Sequence, residues 1–139
     1  MHSVRSCRID SVRWIFLFMF LTIACRPLMA AAAAIKVVTE ADNGGTVHLK
    51  AGDVLEPCLE SNPGSTGYMW YVDPKSTPLL KLIGQSQTQP TQPGVGKPIS
   101  QIFVFQAMQS GQGDFLLHIR SWEKPAQAEK QFLLHVLIK

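Results

Sequence analysis

The chain has 139 residues with a formal net charge of +3, and 46% of its residues are hydrophobic. This length is sufficient for one domain built around one core. The excess of positive charge comes from arginines near the N-terminus, and the rest of the chain is close to neutral. The composition therefore gives no electrostatic reason to expect a protein that binds nucleic acid or an anionic membrane surface.

The N-terminal region has the features of an export signal. Three arginines within the first 13 residues precede an unbroken apolar run at 14–24, which is shorter than the roughly 20 residues that span a membrane. Small residues follow at 30–34, as a signal peptidase requires. We therefore predict that residues 1–34 are a cleaved signal peptide and that residues 35–139 form the mature domain. The protein is expected to be exported, and so to be periplasmic or secreted.

A second processing route is open at Cys25. The segment Leu21-Thr-Ile-Ala-Cys25 resembles a lipoprotein box, although Thr22 stands where such boxes prefer Leu. On this route Cys25 would carry a lipid and would hold the protein at a membrane. Without lipidation we expect no membrane contact.

Removal of the signal changes both the charge and the cysteine content. After a cut at Ala30, nine basic and nine acidic residues remain, because four arginines and one aspartate leave with the signal. Cys7 and Cys25 lie in or beside the signal, so Cys58 is left alone or accompanied only by a lipidated Cys25. No internal disulfide framework is available, and the apolar core must hold the domain together.

The mature region is typical of an all-β protein, because stretches of alternating apolar residues lie between turns rich in Gly, Pro and Asn. The alternation is clearest near the C-terminus, where Phe132, Leu134 and Val136 share one face. Helical periodicity is absent beyond the signal. Strands are predicted at residues 35–39, 46–50, 54–59, 68–72, 79–85, 99–108, 114–121 and 129–139.

Seven or eight strands at this spacing predict a two-sheet β-sandwich of the immunoglobulin-like type. Trp70 is expected in the core, on a central strand. The disulfide that often joins the two sheets of such domains cannot form, because Cys58 has no partner in the mature domain. We expect the domain to be a monomer.

Catalytic chemistry is poorly supported. A nucleophile would require Cys58 to be activated by His48, His118 or His135. Cys58 follows Pro57 within a predicted strand, where we expect it to be a small buried hydrophobe. The three histidines have no zinc-ligand spacing, and no glycine loop of the phosphate-binding kind is present. We therefore expect no catalytic residue, no metal site and no cofactor.

Three loops carry residues that a scaffold alone would not need. The first, at 62–68, combines a stiffening Pro63 with glycines that permit positive φ. The second places Val95 between two glycines, and the third follows a strand with Arg120 and Trp122, residue types enriched at binding hot spots. Alone, each loop could be an ordinary turn, a linker, or a Trp folded back on the sandwich edge. Together they indicate a binding surface.

Taken in this order, the loops resemble the chagasin family of cysteine-protease inhibitors. The family pattern consists of Asn-Pro-x-Thr-Gly-Tyr-x-Trp, then Gly-x-Gly-Gly, then Arg-Pro-Trp. This chain has one extra residue before the Thr-Gly-Tyr, Lys97 in place of the last Gly, and Ser121 in place of the Pro. The corresponding segments are Asn62-Pro63-Gly64-Ser65-Thr66-Gly67-Tyr68-Met69-Trp70, Gly94-Val95-Gly96-Lys97 and Arg120-Ser121-Trp122.

The resemblance implies an immunoglobulin-like sandwich whose three loops lie at one end and occlude the cleft of papain-like cysteine proteases, reversibly and without covalent chemistry. Thr66 would approach the protease's Cys and His, and Trp122 would stack on an apolar enzyme surface. Without the proline, the third loop is expected to be less rigid, which lowers affinity. The protease-binding residues implied are Asn62, Pro63, Ser65, Thr66, Gly67, Tyr68, Gly94, Val95, Gly96, Arg120 and Trp122.

Two other functions are compatible with the same sequence. An exported immunoglobulin-like adhesion or structural module would use its sheet faces or edges, and its loops would tolerate substitution. A metal-handling β-sandwich would use His and Met side chains. Titration of papain activity separates the inhibitor from the adhesion module, and metal titration tests the third possibility.

Overall fold

The computed structural model describes residues 31–88, 96–124 and 128–139. Residues 1–30 of the predicted signal peptide lie outside the described residues, as do Gly94 and Val95 of the second loop. Within the described part of the chain, no helix is long and apolar enough to cross a membrane.

The described residues form eight strands in two four-stranded sheets, as predicted. The elements are β1 (Ile35–Val38), a 3₁₀ turn (Glu40–Asp42), β2 (Thr46–Leu49), β3 (Val54–Ser61), α1 (Pro63–Thr66), β4 (Tyr68–Val72), β5 (Leu80–Gln87), β6 (Ile99–Ala107), β7 (Gly111–Ser121) and β8 (Ala128–Ile138). The first sheet has the order β1-β3-β6-β5 and the second β2-β8-β7-β4. Neighbouring strands are antiparallel, except that β1 runs parallel to β3 and β2 parallel to β8.

The core lies between the sheets and is built from the inward side chains of the alternating strands. Phe105 of the first sheet meets Phe115 of the second edge to face, with ring centroids 4.8 Å apart. Trp70 and Phe132 make a second edge contact at 6.5 Å. All four rings are almost fully buried. Because burial of each large apolar side chain contributes about 1.5–3 kcal/mol, these side chains provide much of the stability of the domain.

Trp70 lies in the core as predicted, but the prediction of a central strand is wrong. β4 is an edge strand of the second sheet, where it pairs with β7. The side chain of Gln101, in β6 of the first sheet, is fully buried and forms hydrogen bonds to the Trp70 backbone. The Gln101 amide takes the place of a neighbouring strand, so the Trp70 N–H and carbonyl are paired although β4 is an edge strand.

Cys58 is half-buried, and the expectation of a small buried hydrophobe is wrong. The inward-facing residues of β3 are Leu55, Pro57 and Leu59. Cys58 therefore lies on the outer face of the first sheet, opposite Ile102 of β6. The register of β3 places the proline, and not the cysteine, in the core.

Two segments differ from the predicted turns. β3 continues to Ser61, and the loop that follows it contains the helical turn α1. The segment between the strands predicted at 99–108 and 114–121, which is expected to be a turn, belongs mostly to β7. Gly113 allows a close approach there, because a Cβ at this position would lie 2.5 Å from the hydroxyl oxygen of the buried Thr77. The glycines of this segment were mistaken for turn residues, although they serve packing within a strand.

Candidate functional site

The first loop is folded into one helical turn by its own residues. Pro63 occupies the first turn of α1, where its missing N–H costs nothing. Asn62 caps the turn, because its side-chain oxygen accepts a hydrogen bond from the Ser65 N–H at 3.3 Å. Gly67 ends the turn in the left-handed conformation, with φ of 69°, and donates its N–H to the Pro63 carbonyl at 3.0 Å. The extra residue before Thr66 is accommodated within this turn.

Thr66 is exposed at the end of α1, and its hydroxyl is already engaged. The hydroxyl donates to the Asn62 carbonyl at 2.7 Å and accepts from the Tyr68 N–H at 3.3 Å. Neither partner is a base, so these contacts do not activate the oxygen as a nucleophile. The tip of the loop presents the small exposed residues Gly64, Ser65 and Thr66 as a fixed surface.

Gly96, the described end of the second loop, lies directly against the first loop. Its carbonyl accepts a hydrogen bond from the Asn62 side-chain N–H at 2.8 Å. Gly96 has φ of 85°, and a Cβ there would lie 2.4 Å from the Ser65 hydroxyl oxygen. A larger residue would therefore be strained in its backbone and would force the Ser65 hydroxyl to move. Lys97, which replaces a glycine of the family pattern, is exposed.

Trp122 of the third loop also lies against the first loop. Its backbone N–H donates to the Gly67 carbonyl at 3.2 Å. Its indole packs on Gly67 so closely that a Cβ at Gly67 would lie 2.1 Å from Nε1. The Trp122 side chain is nevertheless 70% exposed. A large exposed ring that is held in place by the backbone has the properties of a binding hot spot.

Ser121 occupies the position where the family pattern has a proline. Its hydroxyl accepts a hydrogen bond from the Glu123 N–H at 3.2 Å, and its carbonyl accepts one from the Lys124 N–H at 3.3 Å. Ser121 is buried. These bonds restrain the start of the third loop in the absence of the proline ring.

Arg120 lies on the outer face of the second sheet, two residues before Trp122. Its guanidinium carbon is 4.6 Å from the centroid of the Tyr71 ring, which is a cation–π distance. Tyr71 belongs to β4, the strand that follows the first loop. This contact holds a positive charge close to the third loop.

Tyr68 joins the first loop to β8, because its hydroxyl donates to the Glu129 carboxylate. This hydrogen bond is the main reason that the pKa of Tyr68 is raised above its usual value, and desolvation adds to it. A phenolate would face a carboxylate and would be disfavoured. The pair lines a pocket of about 490 Å³ beside Thr66 and Ile119. Glu129 was missed in the sequence, because it lies 61 residues from Tyr68 and begins an ordinary polar stretch.

Strand pairing brings the three loops to one end of the sandwich. Ser61, which precedes the first loop, lies opposite Ile99, which follows the second. Tyr68, which follows the first loop, lies opposite Ser121 at the start of the third. The second loop therefore lies beside the strand that enters the first loop, and the third loop lies beside the strand that leaves it. We call the strand ends that flank a loop its stems. The predicted site residues found at this end are Asn62, Pro63, Ser65, Thr66, Gly67, Tyr68, Gly96, Arg120 and Trp122.

Two of the three histidines considered as metal ligands have acidic partners. His118 pairs with Asp73, and His135 Nδ1 lies 2.7 Å from an Asp114 carboxylate oxygen. In the part of the chain that the structure describes, no group of three or more His, Cys, Asp or Glu side chains is arranged to hold a metal ion.

This fold and this surface define the class of protein. It is an immunoglobulin-like β-sandwich whose first loop is hydrogen-bonded to the second and third loops at one end, as in a binding module. Residues 48–136 match the family described as chagasin family peptidase inhibitor I42. The chain belongs to the chagasin family of peptidase inhibitors, and it is an inhibitor and not an enzyme. The predicted family, fold and inhibitory function are confirmed.

The proteins that match this chain are aligned with it over almost the whole of their own length. Amoebiasin-2 of Entamoeba histolytica is 26% identical over 124 residues, which cover 88% of this chain and 98% of that protein. The crystal structure of the cysteine protease inhibitor EhICP2 from Entamoeba histolytica matches with a TM-score of 0.67 at 25% identity, and the match covers 78% of this chain and 99% of that one. PbICP-C, solved in complex with falcipain-2, matches with a TM-score of 0.50 at 19% identity over 77% of this chain and 91% of that one, which shows a common fold alone.

Proposed function

We propose that this protein inhibits papain-like cysteine proteases reversibly and without covalent chemistry, by inserting the first loop into the active-site cleft. The second and third loops contact the enzyme on either side. The observation that carries the proposal is the direct bonding of the loops, Asn62 to Gly96 and Trp122 to Gly67. Because these loops are bonded before an enzyme is met, little conformational entropy is lost on binding.

The backbone of the first loop is unsuited to cleavage. The N–H groups of Ser65, Thr66 and Gly67 are bonded within the turn to the carbonyls of Asn62 and Pro63. A protease cleaves a substrate that lies extended in its cleft. The first loop enters instead as a compact turn, and it offers the catalytic cysteine no extended peptide bond in register.

Thr66 and Trp122 contribute most of the binding energy in this mechanism. Thr66 is small enough to approach the catalytic residues in a narrow cleft. Trp122 exposes a large apolar ring that stacks on an apolar surface of the enzyme. Arg120 supports the third loop with charge and contact area. The neighbouring contacts supply shape complementarity more than energy, as is usual around hot spots.

The choice of cysteine proteases as targets is supported by the relatives. EhICP2, a cysteine protease inhibitor, aligns with this chain over nearly the full length of EhICP2. The first-loop motif from Asn62 to Trp70, which this chain shares with the chagasin pattern apart from one extra residue, contains the exposed turn α1 and the start of β4.

Titration of papain activity with the mature protein tests this proposal. We expect inhibition that is reversed by dilution. Trp122→Ala should raise the inhibition constant roughly 30-fold, because an apolar contact worth about 2 kcal/mol is lost. Thr66→Arg should have an effect of about the same size, because its side chain clashes in the cleft. Circular dichroism checks that both variants are folded.

Lys97→Gly serves as the matched variant that restores the family pattern, and it should inhibit as well as the parent or better. Folded Trp122 and Thr66 variants that inhibit as strongly as the parent would place the binding face elsewhere. A parent protein that inhibits no papain-like enzyme at micromolar concentration would favour the adhesion module.

We also propose that the protein is exported and that its signal is cleaved before Ala34, upstream of the boundary after residue 34 that the sequence predicts. The supporting observation is that Ala34 is bonded to the folded domain. Its N–H donates to the Asp53 carboxylate at 3.0 Å, and its carbonyl accepts from the Val54 N–H at 2.8 Å. The compact unit itself begins at Ala31. A cut near Ala30 keeps these bonds.

Mass spectrometry of the natively expressed protein tests the export proposal. The mature N-terminus should lie within residues 25–34. A diacyl-modified Cys25 would select the lipoprotein route. Recovery of the chain from the cytoplasm with an intact Met1 would contradict export.

A further inference from the structure

We propose that Gln101, which belongs to none of the three loops, is a positioning residue for inhibition, because its buried amide fixes the first loop relative to the second. The inference rests on the proposed function, since it concerns how the inhibitory surface is kept in shape. It concerns a side chain that does not contact the enzyme in the proposed mechanism and that acts through Trp70.

Both ends of the Gln101 amide bond the backbone of one residue. Its Oε1 accepts from the Trp70 N–H at 2.8 Å, and its Nε2 donates to the Trp70 carbonyl at 3.4 Å. This is the pair of hydrogen bonds that a residue of an adjacent strand would make. Gln101 is fully buried, and a buried amide is costly unless it is paired in this way. We call the Gln101 amide with its two bonds to Trp70 the Gln101 clamp.

The Gln101 clamp lies directly beneath the first and second loops. Trp70 is the third residue of β4, which begins where the first loop ends. Gln101 is the third residue of β6, which begins where the second loop ends. With about 3.3 Å per strand residue, the clamp is roughly 7 Å below each loop. It also joins the second sheet, which contains β4, to the first sheet, which contains β6.

A further bond extends the Gln101 clamp to the other stem of the first loop. The Trp70 indole N–H donates to the Glu60 carbonyl at 2.9 Å. Glu60 is the last residue but one of β3, which leads into that loop. Trp70 therefore holds both stems of the first loop, and Gln101 ties them to the stem of the second.

The Gln101 clamp sets the spacing on which the loop-to-loop contacts depend. The Asn62 amide reaches the Gly96 carbonyl at 2.8 Å, a bond that requires the two stems to stay at a fixed separation. An apolar residue at 101 would fill the space but would leave the Trp70 N–H and carbonyl unpaired. The two sheets could then shift at this end, and binding would have to restore their position.

Gln101→Met tests the inference, because methionine has a similar length and no hydrogen-bonding amide. We expect the inhibition constant for papain to rise about tenfold, mainly through faster dissociation. Val136→Ala is the control, since Val136 is a buried residue of β8 opposite Gly113, away from the three loops. It should lower the thermal midpoint without changing inhibition, because a lower stability alone does not alter binding while nearly all molecules remain folded.

A second measurement needs no protease. The Ser65, Thr66 and Gly67 amides are bonded within α1, so their hydrogen exchange reports the order of the first loop. Exchange at these amides should be faster in Gln101→Met than in the parent, and unchanged in Val136→Ala. This readout separates the inference from the proposed function, which the inhibition assay of the parent tests on its own.

Gln101→Glu provides a variant that can regain the clamp. A protonated glutamic acid can accept from the Trp70 N–H and donate to the Trp70 carbonyl, as the amide does. Burial raises the pKa of such a carboxyl group. The variant should therefore inhibit like the parent at a pH below this raised pKa and more weakly above it, with the parent and Gln101→Met measured at both pH values as baselines.

The outcomes are distinct. A folded Gln101→Met variant with the parent's inhibition constant and the parent's exchange rates would overturn the inference. If Gln101→Met does not fold, Gln101→Glu decides the matter, and inhibition equal to the parent's at a pH where the introduced carboxyl is shown by titration to be ionised would overturn it. If the parent inhibits nothing but the loop amides exchange faster in Gln101→Met than in the parent, the clamp is supported and the proposed function is refuted.

Discussion

At each end of the sandwich, a side chain packs so closely on a glycine that there is no room for a Cβ, but the two contacts serve different purposes. At the loop end, the Trp122 indole covers Gly67, and a Cβ there would lie 2.1 Å from the ring. At the opposite end, Thr77 covers Gly113, where a Cβ would lie 2.5 Å from the hydroxyl oxygen. The covering side chains differ in exposure: Trp122 is 70% exposed, and Thr77 is 9% exposed.

The difference in exposure indicates that the contact at Gly113 serves stability and that the contact at Gly67 serves binding. The contact of Thr77 with Gly113 is already buried, so its energy contributes to the folded state. The outer face of the Trp122 ring remains in water, so most of its apolar area is available to a partner. The glycine fixes the position of the ring and yet covers little of it. Substitutions at the two glycines should therefore affect different measurements.

Gly67→Ala should have the largest effect on inhibition. Alanine in the left-handed conformation costs about 1 kcal/mol, and displacement of Trp122 removes a contact of about 2 kcal/mol with the enzyme. The strain lowers the stability of the domain, and the lost contact raises the inhibition constant roughly 30-fold. Titration of papain measures the effect.

Gly44→Ala is the matched control for this prediction. Gly44 has φ of 79°, but nothing lies within 4 Å of a Cβ placed there. The same backbone strain should lower stability and leave inhibition unchanged. Equal inhibition by the Gly67 and Gly44 variants would show that the contact between Trp122 and Gly67 has no part in binding.

Gly113→Ala, at the opposite end of the sandwich, should lower the stability of the domain and leave inhibition unchanged. The new Cβ must displace Thr77 in a buried site, and such overpacking costs about 1–3 kcal/mol. Urea unfolding should show this loss, while the folded variant inhibits like the parent. A weaker inhibitor of unchanged stability would mean that the two ends are not separate in function.

Asn62→Ala should have a smaller effect, since it removes side-chain bonds but no apolar contact. It removes the helix cap of α1, worth about 1 kcal/mol, and the bond to Gly96. We expect the inhibition constant to rise about fivefold. Asn43→Ala is the control, because Asn43 also makes two side-chain bonds, to the Gln131 carbonyl and from the Leu133 N–H. If the Asn43 change weakens inhibition equally, the effect is not specific to the first loop.

Cys58→Ser should have the smallest effect of all. Cys58 is half-buried on the outer face of the first sheet, outside the three loops. Replacement of the thiol by a hydroxyl should cost less than about 1 kcal/mol in stability, because the group is not taken wholly out of water. Inhibition should be unchanged. A folded variant that no longer inhibits would reveal a role for the thiol.

The sandwich could be predicted from the sequence because each strand buries one face. The alternation of Phe103 with Phe105 and of Phe132 with Leu134 is visible in one dimension, as are the turns between strands. The pairing of strands is not visible in this way. Nothing in the residues of β1 and β2 indicates parallel partners, and nothing in Tyr68–Val72 indicates an edge strand.

The site could be predicted only where its residues are neighbours in the chain. The first loop was found by its motif, but α1 has four residues and is too short to show a helical period. Gln101 and Trp70 are 31 residues apart, and a single Gln in an alternating strand looks ordinary. The available signal was its place on the inward face, in step with Phe103 and Phe105, where a polar side chain needs a partner.

The parallel pairing of β2 with β8 has a consequence for the order in which the domain folds. Thr46 lies opposite His135, so most of the domain must be present before this contact can form. Pairing between such distant segments is slow, because a long loop has to close first. During synthesis the second sheet cannot be completed until β8, the strand nearest the C-terminus, has left the ribosome. The second sheet of the nascent chain therefore stays incomplete until synthesis is almost finished, and a translocation channel accepts a polypeptide only while its sheets are not yet closed.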